Sequence, residues 1–367
     1  MVNVLLGVLL MAVPSASAED VDVAPALAEA KKPRWEPKGS DVQSLRGRAR
    51  TKLKGKKYDE AVPMYLELMG LQPGCGVCLS ELTVALANAG HHDGAQAVAQ
   101  HLTELFPAMM DSWSRKLLAA TEARDFETAL VTLKELQSRS EKSWTHRWNE
   151  VDILLTLGRY DDASKAIDEA AEHLEEGDVA CYRARVAVAK PDEEAAKETW
   201  ASCETDGSEG IRDRVEGWRA VALRDWKTAA LHAAQLDDAA AGDLAVAYLR
   251  MEEDKPDSAV NLLNAAVGHH PKGRDLHVVR ALAEYRAGNA EGAKAALEAQ
   301  AGLGESGYWV LAAAHSDWAQ RMGRHVAAVE AALAADGGGD AAAILDKAVA
   351  DHGEGPELAW IREKLAE

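Results

Sequence analysis

Lys57-Tyr58-Asp59-Glu60-Ala61, Arg124-Asp125-Phe126-Glu127-Thr128-Ala129 and Gly158-Arg159-Tyr160-Asp161-Asp162-Ala163 are three versions of one signal. The alanine slot continues through Ala95, Ala195, Ala229, Ala259, Ala293 and Ala328. Successive intervals are 34, 34, 34, 32, 34, 30, 34 and 35 residues. Three residues before the alanine stands Tyr58, Phe126, Tyr160 or Trp226, and five before it Gly90, Gly158, Gly288 or Gly323. Twelve after it stands Pro73, Pro107 or Pro271. A fixed period in this range marks a repeat architecture.

The residue types say what the unit is. Glycine or a short polar pair ends one helix. An acidic residue follows in the first turn of the next, at the positive end of its dipole. The small alanine lets two helix backbones approach, and proline stops the second helix. Apolar residues recur at helical spacing, as in Ala61, Tyr65 and Leu68 or Ala129, Leu133 and Leu136. Each unit is thus a helix hairpin that buries its apolar face only against its neighbours.

Composition agrees. The 367 residues are 47% hydrophobic, 28% charged and only 5% aromatic, with two Phe in all. Such a chain is a poor β-sandwich or barrel and a good helix former. Its glycines and prolines follow no period, which excludes collagen and low-complexity chains. The net charge of −19 disfavours nucleic-acid binding. It is uneven: residues 1–30 carry −4, residues 31–57 carry +9 and, by difference, residues 58–367 carry −24.

The 34-residue period, the aromatic-x-x-Ala slot and the terminal proline resemble the tetratricopeptide repeat (TPR) family, over about residues 42–335 in some nine units. Trp113 also falls where that family's helix A carries Trp. The resemblance implies an all-α, right-handed superhelix of stacked antiparallel helix hairpins. The array then spans 41–335, with capping helices in 336–367 (338–350 and 356–365). Its work would be that of a non-catalytic protein–protein interaction scaffold or adaptor. The match loosens where Pro191-Asp192 stands near the turn of unit five and Pro256 takes the aromatic slot of unit seven. A HEAT or armadillo type of repeat is the other reading. In the TPR family helix A lines the concave surface, and the matching positions are Trp148, Arg214, Trp218, Tyr248 and Tyr285. Aromatic and Arg side chains anchor many interfaces; the bland reading is that these rings pack against neighbouring helices. With an acidic body around them, the expected partner is a protein or peptide segment with basic flanks.

Residues 4–13 form an apolar run, followed by Pro14, Ala16-Ser17-Ala18 and Glu19. This is an h-region and an A-x-A cleavage site, although Met1-Val2-Asn3 lacks the usual basic residue. The run is too short to span a bilayer. The expectation is a signal peptide over 1–18, export, and a periplasmic or extracellular protein. Residues 19–40 then read as a disordered leader running into a basic collar.

Four cysteines are an even number for an exported chain. Cys75-Gly76-Val77-Cys78 opens a helix, whose N-terminus lowers a thiol pKa. A redox role therefore competes with a structural disulfide. No βαβ context accompanies the motif, and Leu79 stands where haem attachment needs His. Cys181 and Cys203 lie too far along the array to complete a zinc site. They fall near the start of helix A and the end of helix B of one unit, ends that antiparallel helices bring together, so a disulfide is expected there.

His91-His92-Asp93 and His269-His270-Pro271 sit at helix ends and read as polar loop residues rather than metal ligands. Asp336-Gly337-Gly338-Gly339-Asp340-Ala341 lacks the third-position ligand and sixth-position glycine of a Ca²⁺ loop. No phosphate-loop, zinc-protease or nucleophile-elbow motif occurs. Neither enzyme activity nor a cofactor is expected. The densest charge, residues 46–57, falls on a helix with Val42, Leu45, Ala49 and Leu53 as its apolar line. It reads as a solvated capping helix, or as a peripheral contact with an anionic surface or acidic partner. The rival functional classes are thus an envelope redox protein using Cys75 and Cys78, and a lipid- or glycan-binding structural component of the envelope.

Overall fold

Seven of the nine described hairpins turn through one left-handed residue, five positions before the alanine of the slot. Lys56, Gly90, Arg124, Gly158, Arg224, Asp254 and Gly288 have φ of 56, 84, 58, 69, 62, 57 and 80° in the computed structural model. Glycine takes this conformation freely, and a residue with a Cβ takes it at some strain. The next helix is often capped: Asp125, Asp192, Asp225, Asn289 and Asp340 each accept a hydrogen bond from the backbone N–H three residues on, at 3.0–3.1 Å. Such a cap is worth about 1 kcal/mol. Pro256, out of place as an aromatic, sits in the first turn of its helix, where a missing N–H costs nothing.

The structure describes residues 21–28, 33–140, 147–236, 239–304 and 307–366; the expected signal peptide, 1–18, lies outside them. A short α1 (Ala24–Ala28) precedes the array. Hairpins one to three are α2/α3 (Ser40–Lys54, Tyr58–Leu71), α4/α5 (Gly76–Asn88, His92–Leu105) and α6/α7 (Met110–Glu122, Phe126–Arg139). Hairpins four to six are α8/α9 (Arg147–Thr156, Tyr160–Ala170), α10/α11 (Glu176–Ala189, Glu193–Asp206) and α12/α13 (Glu209–Leu223, Trp226–Leu231). The last three are α14/α15 (Ala239–Glu252, Pro256–His269), α16/α17 (Arg274–Arg286, Ala290–Gly302) and α18/α19 (Trp318–Asp336, Ala341–His352), and α20 (Ala359–Ala366) closes the chain. The fold is the all-α array of stacked, TPR-like helix hairpins that the period implies. Ala61, Ala95, Ala129, Ala163, Ala229, Ala259 and Ala293 are all fully buried in second helices.

The ninth unit differs from the expected register. Ala328 lies in the middle of α18, which is the first helix of the last hairpin and packs on α16 and α19. Gly323 does not end a helix. A Cβ there would stand 2.6 Å from the His352 ring, so the glycine lets α19 approach α18.

Two segments cross the face formed by the first helices. Residues 307–317 leave the helical pattern after α17 and lie against α8, α10 and α12. Tyr308 pairs with the backbone of Lys272 and Arg274, and the Ser316 N–H donates to Ala189 O at 2.9 Å. Near the C-terminus, Glu357 reaches back to Arg224. The array also touches itself: the His92 and His270 rings stack at 5.9 Å, and the Arg124 guanidinium lies 5.2 Å from the Tyr308 ring. Hairpins two and three thus meet hairpins seven and eight.

The stretch read as a leader takes part in the fold where it is described. Val23 is buried, and residues 33–38 cross the start of α4. The Arg34 N–H donates to Gly74 O, while the N–H groups of Gly76 and Val77 donate to Arg34 O and Trp35 O, at 2.8–3.0 Å. No described helix is long and apolar enough to cross a membrane.

Candidate functional site

The five expected anchor residues divide. Trp148, Trp218 and Tyr248 are 5, 4 and 6% exposed, so the reading of these three as open groove anchors is corrected. Trp226 stacks on Tyr248 at 4.0 Å, and Trp148 meets Tyr182 at 4.7 Å. The physical reason is self-closure: residues 307–317 lie on α8 and α12, which carry Trp148 and Trp218, while Tyr248 is covered by Trp226 and by His325 of α18. Arg214 is half-buried, its guanidinium 4.7 Å from the Trp148 ring. Tyr285 is also half-buried and donates to Asp336 at 2.8 Å, with the Lys364 ammonium 4.8 Å from its ring.

Among these rings lies a residue that sequence reading passed over. Arg185 on α10 is fully buried, 4.5 Å from the Trp218 ring, with no hydrogen-bond partner for its three nitrogens. Its counter-charge is Asp152, at 3.6 Å. Burial pulls the guanidinium down to about 10. A buried ion pair is often no better than an apolar substitute, but removing one partner strands the other. Arg185→Met is therefore expected to leave the thermal midpoint unchanged or raise it. Asp152→Ala should cost about 3 kcal/mol. Urea melts of both variants check this, and equal losses would show that the pair itself holds the hairpins.

Both cysteine pairs are bonded, Cys75 to Cys78 and Cys181 to Cys203. The first pair is fully buried at the start of α4. Trp35 lies over Gly76, between the two cysteines, so closely that a Cβ there would stand 2.4 Å from the indole. Thiol exchange proceeds by direct attack on sulfur, and this lid leaves no open sulfur for it.

The two histidine pairs, distant in sequence, meet at the closure. His92 Nε2 lies 3.3 Å from His269 O, and His270 Nδ1 lies 3.3 Å from Tyr308 Oη. Among the described residues no group of three or more His, Cys, Asp or Glu is placed to hold a metal ion. Burial lowers the His92 pKa against the opposing carbonyl of His269, with Arg124 and Lys272 lowering it further and Asp93 raising it. A lowered folded pKa gives stability that is present above the unfolded value of about 6.5 and lost as pH falls. His277 and His315 shift in the same direction. Buried Asp275, and Glu252 and Glu330 at the surface, shift upward through desolvation and act oppositely. The thermal midpoint should thus fall between pH 7.5 and 5.5, a span around that unfolded value of about 6.5, and His92→Gln should flatten the fall. An unchanged slope in the variant would remove His92 from the effect.

In the collar, Leu45 and Ala49 are buried on α2, as their spacing requires. Arg46 forms a two-pronged ion pair with Glu81 at 2.7 and 2.9 Å, Arg50 joins it at 3.1 Å, and Lys52 and Lys57 pair with Glu60. Part of the collar charge is thus balanced inside the fold, while Arg48, Lys54 and Lys56 stay exposed.

No protein-family model matches the chain, and no curated protein matches it. Solved structures similar to it include a chain of the APC/C hetero-tetramer Cut9-Hcn1, 13% identical with a TM-score of 0.42, covering 73% of this chain. The TPR2AB domain of yeast Sti1, in a complex with pHSP90, is 16% identical with a TM-score of 0.27, covering 72% of this chain and 90% of its own. A chain of Naa15/Naa10 bound to HypK-THB is 10% identical with a TM-score of 0.26, covering 80% and 66%. The chain spans about half, 54%, of the Cut9-Hcn1 chain that it matches.

Proposed function

We propose that the chain is a non-catalytic protein-binding scaffold that works after export, in the periplasm or outside the cell. The observation that carries this reading is the continuous stack of hairpins from α2/α3 to α18/α19, one rigid surface of many similar units. Since its own segments cover much of the first-helix face, the surface offered is that of the second helices and the two ends. Val131 on α7 and Leu231 on α13 stand 70 and 76% exposed there, apolar contacts in an acidic surround. A partner segment with basic flanks fits them, steered by charge and held by apolar contact. Two disulfides favour an oxidising compartment.

The test is a pull-down with the chain starting at Glu19, from envelope extract, at low and high salt. A retained protein lost at high salt, and lost with Val131→Asp or Leu231→Asp, is expected. Retention indifferent to salt and to both variants would move the interface elsewhere and sink the charge argument. Export is read from the intact mass of the native protein: cleavage after Ala18 is expected, and an uncleaved chain in the cytosolic fraction overturns it.

A further inference from the structure

A cavity of ≈ 340 Å³ lies among α13, α14, α16, α18 and the C-terminal turn. Small-molecule sites run from about 300 to 1,000 Å³, with mostly apolar walls and a few placed polar groups. Here Trp226, Met251, Leu282, Trp318 and Met322 supply the apolar wall. Tyr248, His325 and Trp360 also line it, and each keeps a buried polar atom without a hydrogen-bond partner: Oη, Nδ1 and Nε1. His325 is held down to about 4 by burial, so it is neutral at pH 7.

The charges beside the cavity are already arranged. Glu357, almost wholly buried, accepts from Arg224 and from Arg324, the latter at 2.7 Å. Arg321 pairs with Asp317 at 2.7 Å and donates to Ala222 O at 2.9 Å. Three guanidinium groups thus face two carboxylates, and with Arg286 and the rim carboxylates of Glu252 and Glu363 the count is four against four, so what the site leaves unmet is hydrogen-bond donors. The Arg286 side chain, at the rim, makes no hydrogen bond within the described residues, although Tyr248, Asp254 and Glu252 act on its charge. The unpartnered indole N–H and the guanidinium are donors only, and the phenol donates as readily. What completes this set is an acceptor, and the Arg286 guanidinium favours one that carries a single negative charge. The exposed rim carboxylates of Glu252 and Glu363 disfavour a second one.

We infer that this cavity binds a small monocarboxylic acid, its carboxylate toward Arg286, Trp360 Nε1 and Tyr248 Oη, its apolar body among Trp226, Leu282 and Trp318. The site stands apart from the scaffold reading, and either can fail without the other. The probes are 4-phenylbutyrate, indole-3-acetate and hexanoate, titrated into the full mature chain up to about 10 mM, since ligands this small bind with millimolar to micromolar Kd. At least one acid should raise the thermal midpoint and show saturable heat in calorimetry, and its amide should bind about tenfold more weakly. Arg286→Ala, and Trp360→Phe, which keeps an aromatic ring and removes the donor, should each weaken the acid about tenfold without lowering the midpoint of the unliganded protein. Ala359→Trp, which narrows the cavity while keeping every donor, should abolish binding. If no acid binds, if amides bind as well as acids, or if all three variants bind like the parent, the proposal is overturned.

Discussion

Asp275→Ala should lower stability by roughly 4 kcal/mol, more than any other single change of a buried polar group considered above. The carboxylate is fully buried at the start of α16. It accepts from the N–H groups of Val310 and Leu311, both at 2.9 Å, and from Trp318 Nε1 at 3.1 Å. Burial raises its pKa, while these three donors hold it down. Alanine strands all three in the interior, and each stranded donor costs about 1–3 kcal/mol. Asp275→Asn retains one acceptor oxygen and should lose about half as much. Because the carboxylate fastens the crossing segment to the array, the loss should be local in origin. Limited proteolysis should cut early between residues 307 and 317, with the far-UV circular dichroism still helical. A loss below about 1 kcal/mol, the worth of one ordinary hydrogen bond, would mean that the segment is held by other contacts.

What the sequence shows and what it hides follow from the range of the interactions. The alanine slot, the left-handed turn residue and the terminal proline are legible because each is imposed by local sterics, and the array follows. Pro256 and Gly323 fail as signals for a related reason. One residue type serves two purposes: proline fits a first helical turn, and glycine admits a neighbouring helix as well as a turn. The aspartate caps at 125, 192 and 225 were readable in the same local way, by their place just before each second helix. Nothing local marks residues 307–317. Their bonds run to Lys272, Asp275 and Ala189, across hairpins, so their effect on Trp148 and Trp218 is invisible to any period. The meeting of His92 with His270 depends likewise on the summed rotation of five hairpins. Arg185 looks like any charged helix residue until Asp152 and Trp218, on the first helices to either side, enclose it.

The bond between Cys181 and Cys203 lies between these extremes, since antiparallel helices bring the start of one and the end of the next together within a single unit. It spans 22 residues. Loop-closure entropy for such a span is worth about 3 kcal/mol, against about half that for the three-residue span of Cys75 and Cys78. Cys181→Ser should therefore lower the denaturant midpoint about twice as far as Cys75→Ser. The backbone around the bond is fitted to it. A Cβ on Gly207 would stand 2.5 Å from both Cys181 Sγ and Cys203 O, and one on Gly177 would stand 2.1 Å from Asp206 O. Gly207→Ala must then displace the sulfur or the end of α11. Part of that penalty requires the bridge, so it should shrink when Gly207→Ala is combined with Cys181→Ser and Cys203→Ser. A double-mutant cycle reads this coupling directly. Gly177→Ala meets backbone rather than sulfur, and its cost should be the same with or without the disulfide. Full penalties at Gly207 in the serine background, or free thiols at both cysteines in air-oxidised protein, would show that the bridge does not close this hairpin.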